Sequence, residues 1–135
     1  MTPFAVLCGL AGLSHREAGD FLGVRLDTVK SWSAGRNRTA PGAVDELRAL
    51  IARQTKAADE AVAHIARLSK SHGTPDEIEI GFPADDHEAR ALGWPCVGAW
   101  AAMAARVLAA SDAPIRLVPR GSTAGTAAAA DAHGR

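Results

Sequence analysis

Aromatic side chains are scarce in this sequence: three tryptophans and three phenylalanines among 135 residues. A core built from it must be packed mostly by Ala, Leu, Val and Ile. Cysteine is nearly absent as well. Cys8 and Cys96 lie far apart and form no CxxC motif, which fits a reducing cytosol better than a disulfide framework. Both are expected to act as small buried hydrophobes. Long hydrophobic runs are missing too. The most apolar stretch, residues 97–110, is interrupted by Arg106 and is too short to span a bilayer. Residues 1–13 lack the basic leading region of a signal peptide. A soluble, cytoplasmic protein with no membrane partner is expected.

Net charge is the last absence, since 15 Lys/Arg balance 15 Asp/Glu. The balance hides a segregation. Residues 1–56 carry eight basic against five acidic side chains, a net of +3. Residues 57–93 carry three against eight, a net of −5, and residues 94–135 carry four against two, a net of +2. Such a distribution suits a chain that meets a polyanion at one end only. With 47% hydrophobic and 22% charged residues, the composition is that of a folded protein, long enough for one compact domain or two small lobes.

The order of elements follows from spacing. Phe4, Leu7 and Leu10 recur at helical intervals, and Gly12–Leu13 closes that helix. Ser14 is an N-cap with Glu17 three residues on, the capping-box spacing. Ala18, Phe21 and Leu22 line a second helix that stops at Gly23, and Val29 with Trp32 line a third that stops at Gly35. A long helix is predicted from Pro41 to the break at Gly73 and Pro75. Along it Val44, Leu47, Ile51, Gln54, Ala58, Ala61, Ile65 and Leu68 step by three and four. Three short helices are too small to cover such a seam, so a later segment or a second chain must do so. "DEIEIGFP" and "PIRLVP" read as short strands, and "DDHEARALG" as a helix with acidic residues in its first turn. Another helix opens at Trp94-Pro95 with a stripe of Val97, Trp100, Ala104, Val107 and Leu108. Residues 120–135 hold no large apolar side chain and are expected to form a disordered tail.

The fold class expected is mainly α, in three parts. Residues 1–42 form a helix-turn-helix lobe, 43–73 a connecting helix, and 74–119 a small α+β dimerisation lobe. Two short helices joined at Gly23, the second amphipathic and basic, make the helix-turn-helix arrangement. The second helix is expected to present Arg25, Leu26, Asp27, Lys30 and Ser31 outward while Val29 and Trp32 anchor it. A helix of that kind enters the major groove and reads base edges with its first residues. Arg36 and Arg38, just beyond its end, are placed to grip phosphates. His15 and Arg16 start the preceding helix, where phosphate contact and plain exposure both remain open. Asp27 opposes phosphate binding but can accept a hydrogen bond from a cytosine amino group.

The stretch "LSHREAGDFLGVRLDTVKSWSAGRNRTAP" resembles the Cro-type helix-turn-helix of phage and bacterial repressors. The order of elements to about Pro119, with "ALGWPCVGAWAAMAARVL" placing Gly-Trp before an apolar helix, resembles the anti-CRISPR-associated, YdiL-like branch of that family. The resemblance implies a homodimeric repressor that binds an inverted repeat of double-stranded DNA in its own promoter. Two departures stand out. Ser33 in "WSAG" replaces a carboxylate common in the family, and the first helix offers Ala5, Val6, Cys8 and Gly9 where a charged outer face is usual.

A dimer interface is expected along the seam and the apolar helix, at Ile65, Leu68, Trp94, Val97, Trp100 and Val107. For the tryptophans, core and interface both remain open, and for the seam an intrachain core is the alternative. Catalysis finds no support. "DDHE" at 85–88 has no second His or Cys at ligand spacing, His64 and His72 make no HExxH, and no phosphate-cradling glycine loop is present. No metal, cofactor or catalytic residue is therefore expected. Two other readings of the same motif stay open: an antitoxin that represses its own operon, and a regulator that binds RNA.

Overall fold

The computed structural model describes residues 1–73 and 77–121. It contains α1 (Pro3–Ala11), α2 (His15–Leu22), α3 (Leu26–Ala34), α4 (Pro41–His72), β1 (Ile78–Phe82), α5 (Asp86–Ala91), α6 (Val97–Ala110) and β2 (Ile115–Pro119). The protein is mainly helical with a small two-stranded sheet late in the chain. β1 and β2 run parallel, in register from Ile78↔Ile115 to Phe82↔Pro119, with α5 and α6 in the crossover. The expected tail lies outside the described residues apart from Arg120 and Gly121.

Local chemistry sets the helix ends. The Thr2 hydroxyl accepts from the Ala5 amide and Pro3 opens α1. α4 begins at Pro41, whose missing N–H is no loss in a first turn. α5 starts at Asp85, whose carboxylate takes the Glu88 amide. α6 starts at Val97 rather than at Trp94-Pro95, and the Asp86 carboxylate accepts from the Val97 amide at 2.9 Å.

One cluster of buried side chains draws on α1, the α2–α3 pair, α4 and α6, including Phe4, Val29, Trp32, Leu47, Leu50 and Trp100. The seam of α4 is covered inside the chain, by α1 and by α6. This answers the question left by the spacing: the later segment covers the seam. Its buried residues are Ala43, Leu47, Leu50, Gln54, Ala58 and Ile65, with Val44, Ile51 and Ala61 at its margins. Ile65 packs with Ala58 and Val107 in a second cluster flanked by Ile78, Ile80 and Ile115.

The interface expected from the sequence is corrected accordingly. Ile65, Trp94, Trp100 and Val107 are core side chains of a single chain and present almost no surface. Val97 is half-buried and Leu68 is exposed. Trp94 also carries the Arg53 guanidinium 5.0 Å over its ring. Replacing Ile65 with Glu is therefore expected to unfold the protein rather than split a dimer. Burying a carboxylate there costs about 3 kcal/mol or more, read as a lost helical circular-dichroism signal or a lowered urea midpoint. A folded, merely dissociated variant would contradict this placement.

The expected stripe of α1 shifts by a residue, while that of α6 keeps Trp100, Ala104 and Val107 and loses Leu108. In α1 the buried residues are Phe4, Cys8 and Ala11, while Leu10 points outward. In α6 they are Ala99, Trp100, Ala104 and Val107, and Leu108 is exposed. α1 and α6 approach closely at one junction. Gly12 ends α1 with a left-handed backbone (φ 78°), and a Cβ on either Gly12 or Gly98 would overlap the other's carbonyl. Gln54, fully buried, ties the junction together: its amide nitrogen donates to the Ala11 carbonyl (2.9 Å) and the Ala99 carbonyl (3.0 Å). An amide in the middle of an apolar seam thus satisfies a carbonyl that the end of α1 leaves without a helical partner.

Both cysteines are free and buried, as small hydrophobes. Burial pushes both thiols from their ordinary 9.0 up to about 11. Below pH 9 folded and unfolded chains both hold these protons, so the thiols add no pH dependence there. As pH rises from 9 towards 11 the unfolded chain ionises first, and stability should fall. Urea midpoints measured across that interval should drop more steeply for the wild type than for the Cys8→Ala/Cys96→Ala variant. Equal slopes would show that the thiols do not contribute.

Candidate nucleic-acid interface

The interface is built on α2, its turn and α3. The Ser14 hydroxyl accepts from the Glu17 amide at 3.1 Å and the Glu17 carboxylate accepts from the Ser14 amide at 2.9 Å, a complete capping box. α2 ends at Gly23, whose left-handed backbone (φ 69°) turns the chain into α3. Gly19, buried in α2, lets the two helices approach. A Cβ there would stand 2.9 Å from the Val24 carbonyl oxygen and 3.6 Å from Val29. Sequence reading passed over Gly19, although a glycine inside a helix is itself a sign of close approach, given its cost relative to alanine.

α3 is fixed from beneath. Val29 is buried and Trp32 stands edge-on to Phe4, with ring centroids 5.4 Å apart at 81°. Thr2 grips the end of α3 by donating from its hydroxyl to the Ser33 carbonyl at 3.0 Å. Thr2 carried no signal of this in the sequence, because the contact spans thirty-one residues. The Ser33 hydroxyl is buried without a partner among the described residues.

The outward surface of α3 bears Arg25, Asp27 and Lys30, all exposed, with Leu26 half-buried at its edge. Beyond Gly35 the exposed loop presents Arg36, Asn37 and Arg38, and the start of α2 adds exposed His15 and Arg16. Ser31 is the exception. It is 7% exposed, and its hydroxyl accepts from the Asn37 side-chain amide at 2.6 Å. The expectation that Ser31 faces outward is corrected. Its place on α3 turns it toward the loop, where with Asn37 it sets the path of the chain between Arg36 and Arg38. Asn37 was not singled out in the sequence.

Electrostatically the surface is unneutralised. Among the described residues the ion pairs are Arg48–Asp45 and those of Arg116 with Glu77 and Glu79. None involves Arg16, Arg25, Lys30, Arg36 or Arg38. Five cations thus lie on one helix-turn-helix and its following loop without a carboxylate within ion-pair distance.

No family model matches the chain, and no curated protein matches it. No helix among the described residues is long and apolar enough to cross a membrane.

Proposed function

We propose that this protein is a sequence-specific double-stranded-DNA-binding repressor that acts as a homodimer on an inverted-repeat operator, in its own promoter. The observation that carries the reading is the exposed, unpaired set Arg25, Lys30, Arg36 and Arg38 on and after a helix anchored by Val29 and Trp32. A rigid helix with cations at its rim is what groove docking requires, since phosphate contacts fix register and the helix face reads bases. In this reading Arg36 and Arg38 hold phosphates, Asp27 and Lys30 read base edges, and His15 and Arg16 reach the backbone from the start of α2. Ser31 and Asn37 act indirectly, by shaping the loop. The protein takes no cofactor and acts in the cytoplasm.

Selection from a random duplex pool tests the proposal. Two half-sites related by a dyad and spaced by about one helical turn should emerge. Gel shifts with that duplex and with RNA of the same sequence should show preference for the duplex, with affinity falling steeply as salt rises. Enrichment of no sequence, or tighter binding to the RNA, would overturn the reading.

A further inference from the structure

Among the described residues the sheet has two strands. Parallel sheets are normally covered on both sides and built from several strands, and a pair alone is marginal. Its hydrogen bonds show which backbone groups are already used. The Ile78 amide donates to the Pro114 carbonyl and the Arg120 amide donates to the Phe82 carbonyl. With the parallel register, this phase spends the groups of Pro114, Arg116, Val118 and Arg120 on β1. The amides and carbonyls of Ile115 and Leu117, with the carbonyl of Pro119, therefore point to the outer edge of β2. Pro119 falls at one of these outward positions, where its missing N–H costs the ladder nothing. Among the described residues no strand lies beyond β2.

We propose that this edge pairs with β2 of a second copy, antiparallel about a two-fold axis through Leu117, to give a four-stranded sheet β1-β2-β2-β1. The register is set by the strand itself. With Leu117 opposite Leu117, each amide donates to the other's carbonyl, and each Ile115 amide donates to the Pro119 carbonyl across the axis, giving four bonds. Both prolines then sit at the ends, where each leaves only the terminal Ile115 carbonyl across the axis without its bond.

Side chains agree with this occupant. Leu117, 39% exposed, is an uncovered aliphatic residue on the edge, and the axis brings it against its own copy. The strand's one charge, Arg116, is neutralised within its chain by Glu77 (2.8 Å) and Glu79 (3.2 Å). It thus brings no unpaired cation to a junction between identical surfaces. The pairing deepens the proposed function, because it names the surface that makes the homodimer.

The full-length chain at micromolar concentration should have a mass near twice 14.0 kDa by light scattering. Leu117→Pro removes the outward donor and none of the bonds to β1, so it should yield monomer with unchanged helical circular dichroism. Leu117→Cys with oxidised glutathione should give a covalent dimer reversed by reductant. Directly paired residues of this type are about 5.5 Å apart between Cα atoms, within disulfide range. Arg116→Cys, which faces Val118 of the other copy, should not cross-link, and the buried Cys8 and Cys96 do not compete. A monomeric wild type, a dimer that survives Leu117→Pro, or cross-linking at 116 in place of 117 would each overturn the proposal. If Leu117→Pro misfolds, the cross-linking pair decides. The DNA reading is judged separately. Half-site binding by monomeric Leu117→Pro supports it whatever becomes of the pairing, and a cross-linkable dimer that ignores duplex DNA overturns it while leaving the pairing intact.

Discussion

Gly98→Leu is expected to leave little folded protein, and Gly98→Ala to lose about 1–3 kcal/mol of stability. The loss runs against local preference, since alanine in a helix is worth about 1 kcal/mol more than glycine. The cause is the α1–α6 junction, where a Cβ on Gly98 meets the Gly12 carbonyl, a backbone atom that cannot swing aside. Gly12→Ala should not relieve the strain. Its own Cβ meets the Gly98 carbonyl, and its left-handed backbone disfavours any side chain. Urea denaturation of the single variants measures the effect. A Gly98→Ala protein as stable as the wild type would mean that the two helices have room to separate.

The double variant Arg36→Ala/Arg38→Ala should weaken binding to all duplexes alike and make the salt slope shallower by about two. The loop carrying both arginines follows α3, and in the proposed docking its side chains would meet the sugar-phosphate backbone. Asp27→Ala should act in the opposite sense. Loss of an exposed carboxylate raises non-specific affinity, while preference at one or two base pairs per half-site relaxes by about 1–3 kcal/mol. Binding-site selection on both variants at two salt concentrations separates grip from reading. If the arginine variant changes the preferred sequence and Asp27→Ala leaves it intact, α3 is docked in another orientation. Ser31→Ala, in contrast, should act through Asn37 and the loop, and so resemble a weak arginine variant.

The sequence by itself determined the elements and, apart from the start of α6, where they end. Caps and breaks are contacts between near neighbours: Ser14 with Glu17, the turn at Gly23, Pro41 at the start of α4, and Asp85 ahead of α5. The strands at Ile78–Phe82 and Ile115–Pro119 were equally legible, because alternation and flanking prolines are local signals. The basic, exposed character of Arg25, Lys30, Arg36 and Arg38 was legible for the same reason.

Tertiary structure decided what covers what. An apolar seam looks the same whether its partner is α6 or another chain, so Ile65, Trp100 and Val107 were legible as apolar but not as intrachain core. Which way α1 faces depends on its packing against α3, α4 and α6, the approach of residues 12 and 98 included, and no periodicity within nine residues encodes it. Ser31 is buried by its place on α3, where the Asn37 side chain comes back to meet it. Which backbone groups of β2 point away from β1 follows from the phase of its bonds, thirty-seven residues away in register. Local chemistry sets each element, whereas burial and bonding phase are properties of pairs of elements, and they exist only once the chain has closed on itself.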